Sequence, residues 1–175
     1  MKLTDKYVFF WKEEPMSNST KCKIVYKNNG DSEPLTFISC EQFFMWLKAM
    51  CFRDFDIAQK ILECESPEHA KKLGREIKNF DEEAWRKGRT YYMKLAVNLK
   101  FDQNEDLAKQ LLDEKYDGKT FVYASYDDDI WGIGFNESIA EENEDKWGSN
   151  LLGKILTETR EKLKAKLEKS DSEEE

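Results

Sequence analysis

The chain has 175 residues, 28 Lys plus Arg against 36 Asp plus Glu, and hence a net charge of −8. That length suffices to bury a core without a metal or disulfide staple, and the acidic balance excludes a general duplex-DNA binder, which needs a basic footprint on the phosphates. Apolar runs of only a few residues fall far short of the roughly 20 of a membrane span, and no apolar stretch of signal-peptide length precedes Lys12. An intracellular protein, cytoplasmic or nuclear, is expected.

In chain order, Tyr7 to Trp11 reads as a short aromatic strand, Pro15 to Ser19 as a loop, and Cys22 to Tyr26 and Leu35 to Ser39 as two strands. Asn28-Asn29-Gly30-Asp31 between the last two tolerates positive φ, so a hairpin is expected there. From Glu41 to about Leu112 the apolar period is helical. Ile57, Ala58, Ile61 and Leu62 share one helix face. Ser66 can cap the next helix, with Pro67 at its first position and Gly74 ending it. Asp81 opens a longer helix carrying Trp85, Tyr92, Leu95, Ala96 and Leu99 on its inner face, and Asn104 is read as the cap of a short one. Thr120 to Ala124 returns to strand, Asp127-Asp128-Asp129 breaks it, and Trp131-Gly132-Ile133-Gly134 is a tight turn. A last helix begins near Asn150. The expected fold is α+β, a single helix-rich domain over residues 1–169 with a small mixed sheet, followed by a disordered acidic tail at 170–175. Cys22, Cys40, Cys51 and Cys64 match no zinc or redox spacing and are expected to be free, buried thiols.

Three segments carry chemistry. The helix from Glu41 to Phe52 has only two charges, Glu41 and Lys48, and such a helix is normally buried. Seven residues apart, the two project from nearly the same side, about 10 Å apart along the axis. They read either as helix-end charges serving packing or as a carboxylate and an amine lining one pocket. Tyr126 to Gly134 sets three carboxylates beside Trp131 and two glycines: an acidic surface turn, or a site where glycine lets backbone approach a ligand, Trp stacks on a base, and a carboxylate holds ribose or a cation. Trp147-Gly148-Ser149-Asn150 offers a helix start with bare N–H groups, an ordinary cap or an anion site, to which Arg75 and Lys78 could lend charge. His69, the single histidine, is given no role, and no cluster has metal-ligand spacing. No metal or cofactor is expected.

Taken together and in order, these segments resemble the NADAR superfamily of YbiA-like N-glycosidases. The matching motifs are Pro15-Met16-Ser17-Asn18, Cys40-Glu41-Gln42-Phe43-Phe44 through Lys48-Ala49, Leu73-Gly74-Arg75 with Asn79-Phe80-Asp81-Glu82-Glu83-Ala84-Trp85, and Leu99-Lys100-Phe101. Asp128 to Gly134, and Trp147-Gly148 with Asn150-Leu151-Leu152-Gly153, complete the set. The resemblance implies a helix-rich α+β fold that cleaves the bond between ribose C1 and a base nitrogen. It assigns Glu41, Lys48 and Asp128 to catalysis and Trp85, Trp131, Gly132, Trp147 and Asn150 to the pocket; Asn18, Arg75 and Gly148 are also expected to bind the substrate.

The substrates it implies are ADP-ribose attached to guanine in a nucleotide or nucleic acid, or a phosphorylated ribosylamino-pyrimidine of riboflavin synthesis. A non-catalytic ADP-ribose reader is the rival. The protein is expected to act as a monomer, without membrane or stable duplex-DNA binding. Two departures, Ser19 where an aromatic is common and Cys40 before the catalytic helix, bear on pocket shape and therefore on substrate choice. Glu41 or Asp128 can stabilise an oxocarbenium-like state or activate water. Lys48 is read either as a desolvated nucleophile or as a counter-charge.

Overall fold

The computed structural model describes residues 1–13, 15–28, 30 and 33–173. In chain order its elements are β1 (Lys2–Leu3), β2 (Tyr7–Phe10), β3 (Lys21–Tyr26), β4 (Leu35–Ser39), α1 (Cys40–Cys51), α2 (Phe55–Leu62) and α3 (Pro67–Leu73). They continue with α4 (Glu82–Asp102), α5 (Glu105–Leu111), β5 (Thr120–Tyr123) and α6 (Leu151–Glu173), plus 3₁₀ turns at Glu114–Tyr116 and Glu141–Lys146. The chain is therefore helix-rich α+β, as expected, with two small sheets: β1-β2-β5 and the β3-β4 hairpin. Asn29 and Asp31 of the expected hairpin turn lie outside the described residues.

The chain forms two compact units, Met1–Ser17 with Asp106–Glu175, and Asn18–Glu105. In the first, β2 is the middle strand, antiparallel to β1 and parallel to β5, with Phe10 opposite Tyr123. A strand covered on both faces must be apolar throughout, and Val8, Phe9 and Phe10 have no exposed surface. Phe9, Val122, Ala124, Ile133 and Ala140 form one core cluster of this unit, and α6 packs on β5.

Arg160 of α6 is 1% exposed. Its guanidinium donates to the carbonyls of Leu111, Leu112 and Asp113 and to the Asp117 carboxylate, so a buried charge closes the otherwise unpaired C-terminal end of α5. The helix α6 continues as far as Glu173. The expected tail from Ser170 thus begins inside it, and Glu174 and Glu175 lie outside the described residues.

In the second unit, α1 is the central helix and packs against α2, α3, α4 and the hairpin. Cys40 to Leu47 and Ala49 are buried, as an almost uncharged helix demands. Ser39 caps it by accepting from Gln42 N at 3.1 Å. Ser66 and Asp81 cap α3 and α4 as read from the sequence, accepting from His69 N at 3.2 Å and Ala84 N at 2.7 Å. Asn104 does something else. Its Oδ1 accepts from Lys23 N and its Nδ2 donates to the Lys23 and Lys100 carbonyls, while Gln103 does the same for Val25. Two side chains thus stand in for a strand along the edge of β3.

The buried stripe of α4 is Trp85, Met93, Ala96, Val97, Lys100 and Phe101. Leu95 and Leu99, expected on the inner face, are only half-buried. All four cysteines are free, as expected, but only Cys40 and Cys64 are buried; Cys22 is half-buried, and Cys51, where α1 leaves the core, is exposed. Among the described residues no helix is long and apolar enough to cross a membrane.

Candidate active site

Of the residues singled out from the sequence, Asn18, Glu41, Lys48, Arg75 and Trp85 stand in the Asn18–Glu105 unit. The carbonyl of Asn18 accepts from Glu41 N at 2.8 Å, which fastens Asn18 to the first turn of α1. The Asn18 Nδ2 points at the Met93 sulfur at 3.4 Å. Glu41 itself is 9% exposed. Gln42, 1% exposed, donates to the Ile61 and Cys64 carbonyls and accepts from Ile38 N. It is a brace between α1, α2 and β4 rather than a reagent.

Lys48 is half-buried on the last turn of α1. Its Nζ donates to the Gly74 carbonyl at 2.9 Å and lies 4.4 Å from the Phe80 ring centroid and 5.8 Å from that of Trp85. Burial pushes its pKa below the ordinary 10.5; the nearby Glu82 carboxylate opposes this, and the Arg75 guanidinium adds to it. The carboxylate that raises it is therefore Glu82.

The Leu73-Gly74-Arg75 motif now has a physical meaning. Gly74 ends α3 with a helical φ of −59°, so it is not needed for a left-handed turn. It allows close approach, because a Cβ there would press on the Met45 side chain of α1 and make it shift. That closeness puts the Gly74 carbonyl on Lys48. Asn79, at φ +57°, makes the left-handed step that Asn tolerates just before Phe80 and the Asp81 cap. Trp85, 7% exposed, stacks on Tyr92 at 5.8 Å and touches Phe44 and Phe52. Arg75 is exposed.

The remaining candidates, Asp128, Trp131, Gly132, Trp147, Gly148 and Asn150, stand in the other unit. Residues 126–129, 133–135 and 146–148 line an open cavity of about 620 Å³, with Asp127, Asp128, Asp129, Phe135, Trp147 and Gly148 among them. Asp128 Oδ1 accepts from Ile130 N at 3.0 Å and Trp131 N at 2.7 Å, so the carboxylate orders its own turn. Trp131 is half-buried.

One sequence expectation is corrected here. The N–H groups before α6 are not bare: those of Gly148, Ser149, Asn150, Leu151 and Leu152 donate to the carbonyls of Ile133, Asp129, Gly132, Ile130 and Trp131. With these donors spent on the 129–133 turn, no anion cradle of the expected kind is present. Gly132 and Gly148 are glycines because the chain packs on itself. A Cβ at Gly132 would lie 2.7 Å from the Tyr123 carbonyl and 2.8 Å from that of Asp128, and one at Gly148 would collide with Asp129. Trp147 packs edge-on against Tyr7 and Phe9 at 5.1 and 5.7 Å, donates its Nε1–H to the Ala140 carbonyl, and lines the cavity.

Asn150 is 5% exposed; its Oδ1 accepts from Tyr123 N and its Nδ2 donates to the Phe121 carbonyl, both at 3.0 Å. It supplies edge bonds to β5 and also holds a left-handed φ of +48°. Asn150→Ala therefore orphans a buried donor and acceptor, and we expect a loss of about 2–4 kcal/mol by urea melt, with faster hydrogen exchange at Tyr123 N. Asp54 was not read from the sequence. Its carboxylate accepts from Ile57 N and Lys78 N, which hold its pKa below the ordinary 3.8 and tie the segment after α3 to α2. Among the described residues no group of His, Cys, Asp and Glu could hold a metal ion.

The NADAR domain family model matches residues 9–164, and the chain belongs to that family. It is 39% identical over 167 residues to "N-glycosidase R617" of Acanthamoeba polyphaga mimivirus, covering 90% of this chain and 96% of that protein. It is 38% identical over 142 residues to "Protein irg-1" of Caenorhabditis elegans, covering 78% and 66%. To "Riboflavin biosynthesis protein VVA0006" of Vibrio vulnificus it is 34% identical over 119 residues, 67% of this chain but only 29% of that protein. The NMR structure of the E. coli protein YbiA superposes with a TM-score of 0.69 at 25% identity, covering 94% of this chain and 89% of that one.

Proposed function

We propose that the protein is an N-glycosidase that hydrolyses the bond between ribose C1 and a base nitrogen, with ADP-ribose on guanine as its substrate. The observation that carries this reading is Lys48, an amine drawn from water, with a depressed pKa, in a family that includes a named N-glycosidase. A neutral amine is a nucleophile; an ammonium is not. Donating one N–H to the Gly74 carbonyl leaves the lone pair of the neutral amine available for attack.

In the proposed reaction the Nζ lone pair forms a bond to C1 as the C1–N bond to the base breaks. The bonding pair leaves on the base nitrogen, which takes a proton. The C1–O bond of the sugar ring then opens, its oxygen is protonated, and a Schiff base joins C1 to Nζ. Water adds to C1, the lysine leaves, and the sugar ring closes. Glu41 and Asp128, assigned by the family motifs, carry the protons and stabilise the positive charge that develops at C1. Asn18, Arg75, Trp85, Trp131, Gly132, Trp147, Gly148 and Asn150 bind the substrate or hold its walls.

A second reading, a phosphorylated ribosylamino-pyrimidine as substrate, is supported by the name of the Vibrio relative. Incubation with guanine-ADP-ribosylated DNA and, separately, with ribosylamino-pyrimidine phosphates, following base release by chromatography, tests both. Guanine-containing product freed from ADP-ribose is expected. Release only from the pyrimidine substrate reassigns the substrate, and release from neither, with ADP-ribose still bound, leaves a reader.

A further inference from the structure

Two large aromatic side chains of one unit are turned out to solvent where nothing in the reaction requires them: Trp11, 42% exposed, and Tyr126, 65% exposed. Both follow the carboxyl ends of parallel strands. Phe10 of β2 lies opposite Tyr123 of β5, Trp11 is the next residue after the first, and Tyr126 comes three after the second. Ligands of parallel sheets gather at such ends. The two rings stand 6.4 Å apart, tilted by 55°. That is too close and too oblique to admit a ring between them, so they form an angled pair of exposed rings. The pair is held in place. Lys12 takes a left-handed φ of +61°, costly for a lysine, and its Nζ sits 4.5 Å from the Trp11 ring centroid. Tyr126 also borders the cavity that contains Asp128, and two residues of chain span at most about 7 Å between their Cα atoms.

We propose that Trp11 and Tyr126, with Lys12, form a subsite for one nucleotide adjacent to the modified base in a single strand. The proposal rests on the reading of the protein as an enzyme acting on a base in nucleic acid. The chemistry favours this occupant. Exposed aromatic rings bind any base through its π face, and a base offers that face only when it is unstacked. One lysine beside the rings matches one phosphate. The acidic Asp127 to Asp129 segment that directly follows Tyr126, in a chain of net charge −8, opposes a longer phosphate track and a duplex.

The test compares two substrates, an ADP-ribosylated guanosine monophosphate and a single-stranded oligonucleotide carrying the same modification. Trp11→Ala should raise KM about tenfold for the oligonucleotide, equivalent to about 1.4 kcal/mol at 25 °C, and leave the mononucleotide unchanged. Trp11→Phe should restore much of the loss. Fluorescence anisotropy with an unmodified, fluorescein-labelled single strand should show the same weakening for Trp11→Ala and Tyr126→Ala. An equal rise in KM for both substrates, or none for either, overturns the subsite. Should the wild type turn over neither substrate, the proposed reaction fails. The subsite is then decided by anisotropy alone: strand binding lost in both variants supports it, and no binding by the wild type overturns it.

Discussion

Lys48→Ala and Lys48→Arg should each lower kcat by about 10³-fold or more while substrate binding persists, because arginine keeps the positive charge but has no neutral amine to offer. The pH dependence follows from the direction of the shift. Desolvation lowers the Lys48 pKa from 10.5, so the neutral fraction, and with it kcat/KM, should rise with pH and level off before the ordinary lysine range. The same shift affects stability with a definite sign. Between the folded pKa and 10.5 the unfolded chain binds the proton that the folded chain has lost, so this group's contribution to stability increases as pH rises through that window. Below the folded pKa the desolvated ammonium is a burden on the folded state, and Lys48→Met should there melt no earlier than the wild type. Loss of turnover in a variant that folds as well as its parent separates chemistry from structure. If arginine supports substantial turnover, Lys48 is only a counter-charge, and water attacks C1 directly with Glu41 and Asp128 in charge of the protons.

Trp85→Ala should cost about 3–5 kcal/mol in a chemical denaturation experiment. The ring is 7% exposed and touches Phe44, Phe52 and Tyr92, so truncation removes a large buried surface and opens a cavity between α1 and α4. That is a large share of a typical total of 5–15 kcal/mol. The indole also forms part of the shield that keeps water from Lys48, and its loss should move the rising limb of the pH–rate profile toward higher pH, since rehydration favours the ammonium. A change below about 1 kcal/mol would mean that this face of α4 is not the one that packs.

Much of the helical unit could be read from residues alone. A nearly uncharged helix announces burial, and Ser66-Pro67 and Asp81 announce helix starts, because these signals are local and a cap must sit where its N–H groups are. Two asparagines fail as caps for one cause. Asn104 has the composition of a cap but spends its amide on β3, and Asn150 looks like a cap but spends its own on β5. A side chain that can bond to any backbone chooses among neighbours that the sequence does not reveal.

The site shows the same pattern. Gly74, Gly132 and Gly148 are visible as glycines in motifs, yet each is small because of a packing partner distant in sequence or in the facing turn. The phosphate cradle expected before α6 failed for that reason, since the 129–133 carbonyls had already taken its donors. Glu82 as the carboxylate opposing the Lys48 shift was equally invisible, although it stands in the quoted Asn79–Trp85 motif. Trp11 could be seen only as a strand residue; its exposure and its tilt toward Tyr126 depend on which strands pair.

The most direct measurement is reductive trapping. Borohydride added during turnover of guanine-ADP-ribosylated DNA should convert a Schiff base into a stable amine, giving an intact mass increased by the reduced ADP-ribosyl group. Peptide mass spectrometry should place that adduct on Lys48, and Lys48→Arg should show none. Sustained base release with no adduct on any lysine, at saturating reductant, would contradict a covalent role for Lys48.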